Sequence, residues 1–332
     1  AEKYNFLRFI FLHISLLTPL IFFKCLKIIY KDCNNLILFL LSLLIIFSPH
    51  YRSYAIWAGE TNLGLLFLIC SIYFYLKLIE NKNSKSFLYI GLNVFFLALS
   101  AYARPIYCLL SIYFLYQYIQ KFGIKKKLFQ FILFNLFFAF PAFYYFFIMD
   151  NYPFVLYSNF FYNPSIVLYS TNIILSSSII FFYSIPFLLI NFTSNKFNLI
   201  SLNKNNIIIF GSSLLLTLFM INNFDYNQIM NGGGIIYKFS NKLFGNNNFL
   251  FFLSLFSPHL LLKIILKKNL NDFILLTIIF CFDPDPWIYH KSFDPIFYCL
   301  VLTVFDYKLF KCLISSNQKT FGYCVLFYYL LV

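Results

Sequence analysis

Between Ser48 and Phe67 the chain reads Ser-Pro-His-Tyr-Arg-Ser-Tyr-Ala-Ile-Trp-Ala-Gly-Glu-Thr-Asn-Leu-Gly-Leu-Leu-Phe. This interval brings His50, Arg52, Trp57, Glu60 and Asn62 into a gap between two apolar runs. Arg52 carries a permanent planar charge suited to phosphate or carboxylate. Glu60 is a carboxylate that can take a proton from a hydroxyl. Trp57 offers a flat ring, and Asn62 offers both donors and an acceptor. A second cation, Arg104, stands in Ser-Ala-Tyr-Ala-Arg-Pro-Ile-Tyr. A third cluster, Tyr289-His290-Lys291 with Asp294, lies in the Pro- and Asp-rich stretch that begins at Cys281. Cations of this kind can hold an anion, and carboxylates can accept a proton.

These residues must be positioned by membrane helices. The 332 residues are 61% hydrophobic and 11% charged, with mean hydropathy +0.78. A soluble domain carries roughly 25% charged residues, and a bilayer core of ~30 Å takes ~20 apolar residues per helix. The apolar runs fall at 9–30, 36–56, 62–79, 87–101, 105–120, 128–148, 172–192, 206–222, 248–266, 271–283, 293–306 and 320–332. The expected fold is therefore all-α: one polytopic transmembrane bundle over 1–332, with about 11–12 membrane segments. The runs at 87–101, 271–283 and 293–306 are short and suit tilted or half-crossing helices.

The net charge of +14 does not indicate nucleic acid, because the basic residues lie between apolar runs instead of on a soluble module. The eight Cys include no CxxC and no Cys/His set at metal-ligand spacing, so neither a metal site nor a cofactor is expected. Most of them sit in or beside apolar runs and read as small hydrophobes.

Charge alternation orients the bundle. If successive loops alternate, one side collects 18 of the 25 Lys and Arg, among them Lys24, Lys27, Lys31, Lys77, Lys121 and Lys125–Lys127. By the positive-inside rule that side is cytoplasmic. Arg52, Arg104, Lys238, Lys242 and Lys291 fall outside, as do Glu60, Asp150, Asp225, Asp283, Asp285 and Asp294. Arg52 and Arg104 thus stand on the disfavoured face, either for function or as anchors to lipid headgroups. Pro105 can start a helix, so 87–120 reads as two helices with Arg104 at the turn. The run Gly232-Gly233-Gly234 precedes Lys238 and Lys242. It suits a flexible turn before an interfacial helix, or backbone N–H groups offered to a phosphate. His290-Lys291 suits an anion.

The segments Ser-Pro-x-Tyr-Arg-Ser-Tyr-Ala-x-Trp, Glu-Thr-Asn-x-Gly-Leu-Leu-Phe and Ala-Leu-Ser-Ala-Tyr-Ala-Arg-Pro-Ile-Tyr resemble the GT-C class of membrane glycosyltransferases. The resemblance covers most of the chain and is most specific at 48–67 and 98–107. It implies transfer of a sugar from a polyprenyl-phosphate donor to a lipid-linked or glycan acceptor on the external or lumenal face. The bacterial inner membrane is the favoured setting, with the endoplasmic reticulum as the alternative. It implies donor-phosphate contacts from Arg52, Arg104, His290 and Lys291, and substrate contacts from Trp57, Asn62, Tyr289 and Asp294. Family members carry their principal acid on a first external loop that this chain is expected to lack. Glu60 is then the nearest motif acid. Lysine at 291 stands where an arginine is usual. Two other readings fit an external cationic face: a lipid-linked polysaccharide polymerase or ligase, and a transporter or flippase. For transport the deep ionisable candidates are His13 and His259.

Overall fold

The computed structural model describes residues 2–57, 59–80, 85–144, 165–193, 204–226, 232–255, 270–282, 288–305 and 327. Most of these are helical, joined by turns and irregular connections, with no strand among them. The chain divides into two compact units: unit 1 is Ala1–Asn151 with Asp294–Val332, and unit 2 is Tyr152–Phe293.

Unit 1 begins with α1 (Glu2–Ile29), α2 (Asn35–Phe47), α3 (Pro49–Ile56), α4 (Glu60–Glu80) and α5 (Ser86–Ala103). A 3-10 turn, Pro105–Leu109, leads into α6 (Leu110–Phe122) and α7 (Lys126–Phe143). The short α12 (Ile296–Thr303) also belongs to it. Unit 2 contains α8 (Ile166–Thr193), α9 (Lys204–Asn222), α10 (Gly234–Phe244) and α11 (Leu270–Phe280).

Five helices among the described residues are long and apolar enough to cross a membrane, or six if the bent pair α2–α3 counts as one. The chain is a multi-pass membrane protein. The expected run 36–56 is not one straight helix, because its two halves meet at 68°. Ser48 ends α2 through its N–H to Ile45 and caps α3 through its hydroxyl, while Pro49 supplies no N–H to continue the ladder. The expected run 105–120 starts as a 3-10 turn, and the helix described within 293–305 is the eight-residue α12. Eight residues rise about 12 Å, too little to cross alone.

Outward faces are apolar. Phe129, Leu133, Leu136, Phe137 and Phe140 of α7 are exposed, as lipid contact requires. Inside, polar side chains join helices. Asn93 of α5 donates to the carbonyl and hydroxyl oxygens of Ser71 on α4, both at 2.9 Å, and Ser71 Oγ donates back to the Asn93 carbonyl at 2.8 Å. Bonds of this type contribute about 0.6 kcal/mol each within a membrane. The Phe134 ring of α7 packs over Gly91 of α5.

Three of the Lys-rich helix ends meet. Lys31, after α1, and Lys77 of α4 both pair with Glu80, at 2.8 and 2.9 Å. Lys121 of α6 lies over the Tyr75 ring of α4 at 5.6 Å. Residues 31, 77 and 121 thus share one end of unit 1, the end that charge alternation assigns to the cytoplasm.

Candidate functional site

The opposite end of unit 1 is organised by the break at Ser48. Ser48 is fully buried, accepts the Tyr51 N–H at 3.1 Å and donates to Asp294 Oδ2 at 2.5 Å. Tyr51 donates its hydroxyl to the Ser15 carbonyl of α1 at 2.5 Å. Asn62, in the first turn of α4, donates to Ser15 Oγ at 3.1 Å and to the Tyr51 carbonyl at 2.9 Å. One buried amide therefore joins α1, α3 and α4.

The corner between α3 and α4 depends on Gly59. Its N–H bonds the Tyr54 carbonyl, and the Tyr54 ring occupies the place that a Cβ on Gly59 would take. Trp57 caps α3 with its ring exposed, and the Arg8 guanidinium of α1 lies 4.6 Å from the ring centroid. Arg52 and Glu60 are exposed on the same corner.

Arg104 ends α5 in an extended conformation, with φ −144° and ψ 99°. Its N–H still bonds the Ser100 carbonyl, and its guanidinium carbon lies 5.5 Å from the Tyr107 ring centroid. A Cβ added at Gly64 would stand 3.5 Å from Arg104 Cβ and 3.3 Å from the Tyr107 ring. Gly64 is one helical turn after Glu60, so this close approach sets Arg104 beside the start of α4. Two distant motifs of the sequence are thus joined by contact: Glu60-Thr-Asn-x-Gly and Ala-Arg-Pro.

In unit 2, His290 is held on both ring nitrogens. The Ile235 N–H, in the first turn of α10, reaches Nε2 at 2.7 Å, and Nδ1 lies 3.1 Å from the Tyr183 hydroxyl of α8. A backbone N–H can only donate, so Nε2 accepts and the ring proton sits on Nδ1. In this arrangement His290 is a neutral cap for α10 and not a free cation. Gly233 and Gly234 take positive φ, 89° and 80°, and Gly233 N–H bonds the Ile288 carbonyl at 2.9 Å. A Cβ on Gly234 would press on Ile179 of α8. One backbone donor of the glycine run, Gly233 N–H, and the donor that follows the run, Ile235 N–H, are therefore engaged by the protein. Lys291 lies over the Tyr289 ring at 5.0 Å, and both are half-buried.

No family model, curated protein or solved structure matches this chain.

The expected site residues thus separate by environment. Arg52, Trp57 and Glu60 are exposed, and Arg104 is half-buried beside α4. Asn62 and Asp294 are buried and bonded to neighbouring helices, where they position backbone. Tyr289, His290 and Lys291 belong to unit 2, and the other six to unit 1. Asp150, Asp283 and Asp285 lie outside the described residues. Among the described residues no three of His, Cys, Asp and Glu gather as metal ligands. Sequence reasoning missed Arg8 as the partner of Trp57. Its signal was present, since it is an Arg at the end of α1 away from Lys24 and Lys27.

Proposed function

We propose that the protein transfers a sugar from a polyprenyl-phosphate donor to a lipid-linked or glycan acceptor, as a GT-C-type glycosyltransferase. The observation that carries this reading is the seating of Arg104 against Gly64, next to the exposed Glu60 and at the end of unit 1 away from Lys31, Lys77 and Lys121. A lipid-linked donor presents its phosphate at the membrane boundary, where a half-buried guanidinium can reach it. Arg104 binds the phosphate and stabilises it as it leaves with the bond electrons. An acceptor hydroxyl attacks the anomeric carbon from the opposite face and gives its proton to a carboxylate. Glu60 is the described carboxylate nearest to Arg104 along α4. Arg8, over the Trp57 ring, and the exposed Arg52 of α3 add cationic character to this end.

Sugar transfer by the full-length protein in proteoliposomes tests the role of Arg104. A charge-assisted contact to phosphate contributes about 1.5–3 kcal/mol. Arg104→Ala should therefore lose more than roughly tenfold in kcat/KM. Arg104→Lys keeps the charge without the fork and should retain part of the activity. Wild-type transfer by Arg104→Ala at sub-saturating donor would remove Arg104 from the mechanism.

A second reading, a transporter or flippase, is favoured by the 68° break at Ser48 and by the buried Asp294 bonded to it. Lipid translocation in the same proteoliposomes, without any sugar acceptor, distinguishes it.

A further inference from the structure

Asp294 stands in the turn before α12, outside the candidate spans, and is 4% exposed. Its Oδ2 accepts the Ser48 hydroxyl proton at 2.5 Å, while its Oδ1 is buried without a hydrogen-bond partner. Ser48 is fully committed, since the same hydroxyl accepts the N–H that starts α3. The ion pairs of Lys31 and Lys77 are with Glu80 and do not involve Asp294. Among the described residues, the thiol of Cys299 on α12 feels the charge of Asp294. Cys25 of α1, Tyr51 of α3 and Tyr107 after α5 adjoin Cys299 in turn, and the Arg104 guanidinium is engaged with Tyr107. A carboxylate so placed, with no paired cation, favours its neutral form.

We propose that Asp294 is a proton-binding positioning residue that latches the start of α12 to the α2–α3 break. In its neutral form the acid stays buried on Ser48. Loss of the proton leaves an unpaired charge in a dry site, which is relieved when the carboxylate moves to water and the break loosens. The proton goes to solvent, and no other bond changes. This role differs from the substrate contact that the sequence resemblance implies for Asp294, and it does not depend on sugar transfer.

Burial raises the acid from its ordinary 3.8 to about 7, and the Ser48 hydroxyl acts the other way by favouring the ionised form. The unfolded chain therefore releases this proton at lower pH than the folded one. The contribution of Asp294 to stability is present below about pH 4, falls as pH rises towards about 7, and is flat above that.

The test is an infrared pH titration of the purified full-length protein, with unfolding in mixed micelles followed in parallel. The wild type should lose a protonated-carboxyl band as pH passes through about 7. Asp294→Asn, which resembles the neutral acid, should lack that band and should remove this fall in stability. Ser48→Ala should move the midpoint upward, because it removes the bond that favours the charged form. If the wild type shows no carboxyl titrating clearly above the ordinary Asp range, the proposal fails. It fails equally if Asp294→Asn keeps the band. Should Asp294→Asn not fold, an unmoved midpoint in Ser48→Ala overturns the proposal by itself. Neither readout uses sugar transfer, so this result and the glycosyltransferase reading fail separately.

Discussion

Replacing Asn62 separates a structural role from a substrate role. Its amide donates to Ser15 Oγ at 3.1 Å and to the Tyr51 carbonyl at 2.9 Å, and the residue is 4% exposed. Asn62→Ala removes both bonds. It leaves the Tyr51 carbonyl without this donor at the point where α3 is tied to α4. Interhelical hydrogen bonds in membrane proteins contribute about 0.6 kcal/mol on average and up to about 1.7. Two such bonds give a loss of roughly 1–3 kcal/mol. Equilibrium unfolding in mixed micelles should register that loss. Asn62→Asp, of nearly the same shape, should rescue it at most in part, because an ionised carboxylate has no proton to donate and a neutral one donates a single hydrogen bond where the amide makes two. A direct substrate contact predicts the opposite pattern: unchanged stability with a raised KM for donor or acceptor. That pattern would refute the structural assignment of Asn62.

Gly59→Ala should cost about 1–3 kcal/mol by overpacking against the Tyr54 ring, and Tyr54→Ala in the same chain should recover much of it. Single-Cys labelling with an impermeant reagent should reach position 52 from outside and position 126 only after permeabilisation. The reverse pattern would overturn the topology that Lys31, Lys77 and Lys121 define. Asn93→Ala, which removes two donated bonds to Ser71, should destabilise the α4–α5 pair by about 1 kcal/mol at the average value.

The helical class and the membrane setting were legible in the sequence because both depend on the apolar runs alone. Lys alternation foresaw which helix ends meet, since insertion reads the same charges. The break at Ser48 was only half legible. Ser-Pro is a helix-start signal, but the flanking residues are apolar enough to read as one run from 36 to 56. Asn62 and Asp294 show where sequence stops. A polar residue at a helix end looks the same whether it faces substrate or bonds a neighbouring helix, and the partner of Asp294 is 246 positions away. The same holds for His290, whose neutral state is set by the Ile235 N–H and the Tyr183 hydroxyl, both remote in the chain. Gly64 could be seen as a motif glycine. That it seats Arg104 needed the fold.

The central claim is the class of donor. Purified full-length protein in proteoliposomes, offered the same sugar on a polyprenyl phosphate or on a nucleotide diphosphate, measures it directly by the label passed to acceptor. The account predicts transfer from the polyprenyl-phosphate donor, and that Arg104→Ala reduces it. Transfer from the nucleotide donor alone, or no transfer from either alongside translocation of lipid, would contradict it.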